Sequence, residues 1–209
     1  MLNRFLGLLS CVVSLGIAPA ATAQEVRLTP DDSSVSFDIN GTPFVIARVQ
    51  DPDASLAGEF AKTSRPCPDF CIQPMVSVSG VAPVAELEII TFLQNNVANS
   101  TGLLVDARLP DWFKKGALPA AVNIPFAALD AENPFQSEIL RALGATQTDG
   151  VFDFSNALSL IIYGNGPWDA QGTRAVQSLV DAGYPPALIQ NYRGGLEDWL
   201  HLGLSTVLP

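Results

Sequence analysis

The chain has 209 residues and 21 acidic against 11 basic side chains, a formal net charge of −10. A chain this acidic is a poor ligand for nucleic acid or an anionic membrane. Apart from Cys11 in the N-terminal segment, it has two cysteines, Cys67 and Cys71, and one histidine, His201, fewer than the four ligands of a structural zinc site, and no His follows a Cys as haem attachment requires.

Residues 1–23, MLNRFLGLLSCVVSLGIAPAATA, combine one positive charge at Arg4, an apolar run from Phe5 to Ile17 and the small-residue ending Ala21-Thr22-Ala23. That layout predicts a secretory signal peptide cleaved before Gln24. An uncleaved anchor is the alternative, opposed by Ser14, Gly16 and Pro19, which leave the run short of the roughly 20 apolar residues of a span. A lipidation site at Cys11 fits less well, because more apolar sequence follows it. Cleavage would leave a mature chain of net charge −11, secreted and in the bacterial periplasm, with no integral membrane anchor and no nucleic-acid partner.

Residues 24–80 read as an accessory segment, β-rich and then loop-rich. Val35, Phe37 and Ile39 alternate, Asn40-Gly41 supplies a turn, and Phe44, Val45, Ile46 and Val49 resume, which predicts a β-hairpin. Pro52, Pro66, Pro68 and Pro74 then predict an ordered loop or a few helical turns. Cys67 and Cys71, the only cysteines of the mature chain, lie within it. Four residues apart on a turn begun by Pro68, their Cα atoms would be about 6 Å apart, within disulfide range. Outside the cytoplasm a structural disulfide is the simplest reading. A redox or sulfur-accepting pair and a shared metal ligand remain as sharper alternatives.

Residues 81–209 alternate helix and strand. VAPVAELEIITFLQNN carries Val84, Leu87, Ile90 or Ile89, and Phe92 or Leu93 at helical spacing; GLLVDAR is a short buried strand; DWFKKGALPAAVNIP is a short helix, a turn and a strand. FAALDAENPFQSEILRALGA reads as helical, LSLIIYG as a strand, TRAVQSLVDAGY as a helix ending at Gly183, LIQNY as the last strand and GGLEDWLHLG as a closing helix. Short apolar strands between helices predict an α/β fold with a parallel sheet covered on both faces. Ligands of such sheets bind at the carboxyl ends of the strands, which here include the loop starting at Gly164. His201 would have to be the base of any hydrolase triad, and no GxSxG elbow accompanies it; a partly exposed helix position is the simpler reading.

LLVDARLPDWFKKGALPAAVNIPF resembles the first half of a rhodanese domain, with Asp-x-Arg closing a strand, Gly-x-x-Pro-x-Ala and Asn-Ile-Pro. LSLIIYGNGPWDAQGTRAVQSLVDAGYPPALIQNYRGGLEDWLHLGL resembles the second half. The two cover about Val81 to Leu208, so the resemblance implies a rhodanese-like sheet with helices on both faces, preceded by the hairpin and loop segment. It also implies a site. Active rhodaneses place after the strand a cysteine that carries sulfur as a persulfide, cradled by backbone N–H groups. Gly164 stands at that position here. A long-loop subgroup resembles Cys-Asn-Gly-Pro-Trp-Cys-Gly-Gln-Ser, in which Asp169 matches the second cysteine and Gly172 the serine.

The resemblance therefore implies no nucleophile at Gly164, and Asn165, Gly166, Trp168, Asp169, Gly172 and Arg174 as the remnant of an anion loop. Asp106 and Arg108 would support that loop, or form an ordinary strand-end ion pair. Asp169 would oppose a bound anion, by about 1 kcal/mol at 4 Å in water and more when screened from it, if it points inward; otherwise it caps the following helix. Arg193, Gly194 and Gly195 match the turn before the last helix, where glycine permits positive φ or close approach. Trp112, Trp168 and Trp199 are pocket-lining or packing residues. The expectation is a protein inactive in sulfur transfer, acting as a binding or accessory module for a protein partner or a small anionic ligand, with no cofactor and no metal. The alternative is a periplasmic thiosulfate sulfurtransferase or sulfur carrier that uses Cys67 and Cys71.

Overall fold

The computed structural model describes residues 25–67 and 72–209. The expected signal peptide and Cys71 lie outside the described residues.

The hairpin forms as its pattern requires. Strands β1 (Ser34–Ile39) and β2 (Thr42–Ala47) pair antiparallel, with Ile39 opposite Thr42. Asn40 and Gly41 both take positive φ, 51° and 82°, the geometry of a two-residue hairpin turn, and the Asp38 carboxylate accepts the Gly41 N–H at 2.7 Å. Among its described residues the predicted loop contains one 3₁₀ turn, Gly58–Ala61.

Strand β3 (Ala82–Pro83) comes next, then helix α1 (Glu86–Phe92), whose Glu88 carboxylate accepts the Ala85 N–H at 3.1 Å. Assigning the whole of VAPVAELEIITFLQNN to a helix is thus corrected at its start. A proline, barred from a central strand, is tolerated at a sheet edge, and β3 is an edge strand paired with the last strand. Strand β4 (Gly102–Asp106), the single turn α2 (Pro110–Phe113) and strand β5 (Val122–Asn123) follow. The long helix expected after β5 is instead a 3₁₀ turn, Phe126–Ala128, and helix α3 (Gln136–Ala142). A second small hairpin, β6 (Thr146–Thr148) and β7 (Val151–Asp153), was not predicted. Strand β8 (Ser159–Tyr163), helix α4 (Gln171–Asp181), strand β9 (Ile189–Tyr192) and helix α5 (Gly195–His201) complete the chain.

The five-stranded sheet runs β3-β9-β8-β4-β5, all neighbours parallel. Alternate residues of its central strands feed two cores. Val105, Leu160 and Ile162 pack with Leu140 of α3 and Val176 and Leu179 of α4. Leu104, Ile161 and Tyr163 pack on the other face with Ile89 of α1 and Leu196 and Trp199 of α5. The second core also takes in Ile46 of the hairpin, fully buried, worth about 1.5–3 kcal/mol by removal from water. The accessory hairpin therefore shares a core with the sheet, and backbone bonds from Val49 to Gly203 and from Ser205 to Ala47 tie it to the chain end.

Candidate functional site

The site lies where β4 and β8 end side by side, Asp106 opposite Tyr163. Both residues, and Arg108, are fully buried. A carboxylate there needs its charge matched and its lone pairs filled. The Arg108 guanidinium does the first, its Nε lying 2.9 Å and its Nη2 2.6 Å from Asp106 oxygens. The Tyr163 hydroxyl donates to Asp106 at 2.6 Å and accepts the Leu118 N–H at 3.2 Å. Burial works against the Arg108 charge, but Asp106 more than offsets it, so the guanidinium stays above its ordinary pKa. Burial, joined by the Asp106 charge, pushes the Tyr163 phenol well up.

This pair reaches the loop after β8. Arg108 Nη1 lies 3.5 Å from the Asn165 Oδ1, and Asn165, 1% exposed, donates its Nδ2 to Asp169 Oδ2 at 2.9 Å. Asp106 and Arg108 are thus a strand-end ion pair and a support of the loop at once.

Asp169 is the centre of the loop. Its Oδ2 accepts the Asn165 backbone N–H at 2.9 Å, the Asn165 amide at 2.9 Å and the Gln171 amide at 3.1 Å. Its Oδ1 accepts the Gln171 N–H, the first of α4, at 2.9 Å. The two roles considered for Asp169, cap and inward-pointing charge, are therefore filled by its two oxygens. Ala170 occupies the N-cap position of α4 and supplies no side-chain bond, so the carboxylate caps from one residue further out.

Gly164 and Gly172 touch through their backbones. A Cβ on Gly164 would begin 3.0 Å from the Gly172 nitrogen and 3.3 Å from Asp169 Oδ2, and a Cβ on Gly172 would lie 2.9 Å from the Gly164 nitrogen. The turn before α5 closes the other side. Gly195, at φ 61°, would drive a Cβ to 2.6 Å from the Gly164 oxygen, so glycine serves both conformation and close approach there. The first amides of α5 take the loop carbonyls: Leu196 N–H donates to Gly164 O at 3.1 Å and Glu197 N–H to Asn165 O at 2.8 Å. The hollow at this point, bordered by Gln73, Gly164, Asp169, Gly172 and Arg193, has only about 10 Å³ of open space, room for about one water.

Of the other anticipated residues, Gly166 packs under Glu197. Trp168 lies beneath Arg65, whose guanidinium sits 3.8 Å from the ring centre. Arg174 is directed elsewhere, 3.4 Å from Asp130 and stacked on Phe126. Trp199 is core, its indole N–H donating to Ser205 O at 2.9 Å, whereas Trp112 and Trp168 line hollows. His201 is exposed at the end of α5.

Four contributors escaped the sequence reading. Tyr163 and Gln171 lie inside the loop pattern. Arg65 and Gln73 flank the cysteine segment, and both reach the loop: Arg65 through Trp168 and a 3.9 Å approach to Glu197, Gln73 at the hollow beside Gly164. A cleft of about 540 Å³ is lined by Phe60, Arg65, Pro167, Trp168, Glu197 and His201. Burial pushes the Glu197 carboxyl up, opposed by Arg65. Among the described residues no group of three metal-ligating side chains occurs, and no helix is long and apolar enough to cross a membrane.

A five-stranded parallel sheet flanked by helices, with the Gly164 loop at its strand ends, has the arrangement of a rhodanese-type fold. Residues 91–202, just over half the chain, match the rhodanese-like domain family, and the chain belongs to it. Solved structures of similar fold include a Bacillus halodurans protein, 20% identical over 61% of this chain and 75% of that one, with a TM-score of 0.43. A rhodanese-like domain from an Anabaena sp. protein is 20% identical over 51% of this chain and 99% of its own, TM-score 0.37. A Rhodopseudomonas palustris protein of unknown function, described as a possible tyrosine phosphatase, is 18% identical over 63% and 88%, TM-score 0.45. No curated protein matches the chain.

Proposed function

We propose that this is a secreted, periplasmic rhodanese-fold protein that does not transfer sulfur at the Gly164 loop and serves as a binding or accessory module. The observation that carries this reading is the Asp169 carboxylate. It accepts four hydrogen bonds from the loop and the start of α4, the kind of donors that would otherwise hold a substrate anion. Its Oδ2 stands 3.3 Å from where a Gly164 side chain would begin. The chain thus supplies its own anion, and glycine at 164 offers no nucleophile. Cys67 and Cys71 are read as a structural disulfide of the accessory loop.

One observation favours the alternative, in which Cys67 and Cys71 carry sulfur. Arg65 and Gln73, two residues outside each cysteine, both touch the surroundings of the Gly164 loop. A thiosulfate:cyanide assay with and without reductant separates the readings. The proposal expects no thiocyanate in either condition. Turnover that Cys67→Ala abolishes would overturn it in favour of the sulfur carrier.

A further inference from the structure

The accessory segment does more than cover the second core. Its 3₁₀ turn, Gly58–Ala61, roofs a hollow of about 320 Å³ between α2 and α5, away from the Gly164 loop. That volume is at the lower end of small-molecule sites. We propose that this hollow binds a small planar monoanion, an aromatic or heteroaromatic carboxylate.

The walls specify the flat apolar part. Phe60 from the roof and Trp112 from α2 meet edge to face, centroids 5.9 Å apart and planes at 69°, and Leu196 and Leu200 of α5 complete the lining. Two rings held at such an angle accept a third ring by stacking on one and meeting the edge of the other.

The charges specify the anionic part. Lys115 lines the hollow with its ammonium 5.2 Å over the Trp112 ring, and no carboxylate lies within ion-pair distance of it among the described residues. Glu59, the acidic group at the rim, is engaged by Lys62 at 2.5 Å and approached by Arg65 at 3.8 Å. Arg108 also borders the hollow; its Nε and Nη2 are committed to Asp106 and to Gly116 O, while Nη1 has the single 3.5 Å contact to Asn165. In an acidic chain, the local excess of charge is positive, since Lys62, Arg65 and Lys115 all act on the one rim carboxylate, Glu59. One ammonium matches one carboxylate, with a charge-assisted hydrogen bond as the orienting contact. The site uses neither Gly164 nor the cysteines, so it stands whether or not the loop is inert.

Calorimetric titration of the full mature chain with indole-3-carboxylate and its neutral isostere indole-3-carboxamide tests the proposal. The carboxylate should bind, and the carboxamide should bind about tenfold more weakly or less. Lys115→Gln should bring the carboxylate down to the carboxamide's affinity, whereas Lys114→Gln, which removes the same charge next door and outside the lining, should change nothing. Phe60→Ala, at a surface turn, should weaken both ligands. Equal binding of carboxylate and carboxamide, no binding of either at about 10 mM, or equal effects of Lys114→Gln and Lys115→Gln would overturn the assignment.

Discussion

Asp169 Oδ2 and the main-chain nitrogen of Asn165 are 2.9 Å apart, a carboxylate bound by the first loop amide beyond Gly164. That bond makes the loop its own ligand. Replacing Asp169 with Ala leaves the Asn165 and Gln171 donors unanswered in a part-buried site, and an unsatisfied buried donor costs about 1–3 kcal/mol. For a chain of this size the midpoint of thermal unfolding should fall by roughly 2–12 °C. Asp169→Asn retains one acceptor but turns an amide N–H₂ towards other donors, so its midpoint should also fall, by less. A scanning calorimeter reads both.

The Asp106, Arg108 and Tyr163 cluster should be the costliest polar group to break. Arg108→Ala strands a fully buried carboxylate, and removing one partner of such a pair costs about 3–5 kcal/mol. Tyr163→Phe deletes one donor to Asp106 and one acceptor for Leu118, with an expected cost of about 1–3 kcal/mol. Urea denaturation monitored by circular dichroism should rank Arg108→Ala well below Tyr163→Phe, and both below the parent.

All three tyrosines of the chain are buried, each at most 2% exposed, and burial raises the pKa of each, assisted at Tyr192 by its hydrogen bond to Glu86. A raised folded pKa means that the unfolded chain loses these protons first, near pH 10, while the folded chain retains them. The contribution to stability is therefore complete below about pH 10 and lost as pH rises further. Tyrosinate absorbance near 295 nm should stay silent above pH 10 until the protein unfolds, then appear in one cooperative step. A gradual rise with native circular dichroism would show an exposed tyrosine.

Glu197 and Asp198 bear on the acid side. Burial raises both carboxyl pKa values, from ordinary values of 4.5 and 3.8. A raised folded pKa favours folding while the unfolded group remains protonated, and the advantage disappears as pH climbs through the folded value. Glu197→Gln should therefore remove a downward slope of stability in the window that opens near pH 4.5 and extends above it. The difference between urea midpoints of parent and variant, followed from pH 4 to pH 7, isolates that slope from the other carboxylates.

The sheet, both hairpin turn residues and the Gly164 loop were readable because each rests on local pattern: alternation, Asn40-Gly41, an apolar strand followed by glycine. The β6–β7 hairpin has a local signal in Asp149-Gly150, both of which take positive φ, but its three-residue strands are too short to show a period. Strand β3 was hidden because a two-residue edge strand has no period. At the loop, the pattern singles out Asp169 but not its role, since a sequence does not show that one carboxylate can reach the helix amide with one oxygen and Asn165 with the other. Arg65 over Trp168 joins positions about 100 residues apart and has no local signature. Phe60 against Trp112 has no local signature either.

The occupancy of the loop by Asp169 is tested most directly by the thiol pKa of a Gly164→Cys variant, read from the pH dependence of alkylation by iodoacetamide, against the same substitution combined with Asp169→Ala. Tyrosine absorbance that stays silent when the pH is raised above 10 reports that each variant has folded. With the Asp169 carboxylate beside it, the thiolate is opposed, and the thiol should titrate above the ordinary value of about 8.5. Without the carboxylate the freed N–H donors should favour the thiolate and bring the pKa down by at least about one unit, a difference that like charges at this separation readily supply. The same thiol pKa in both variants would contradict the claim that Asp169 holds the place of the anion.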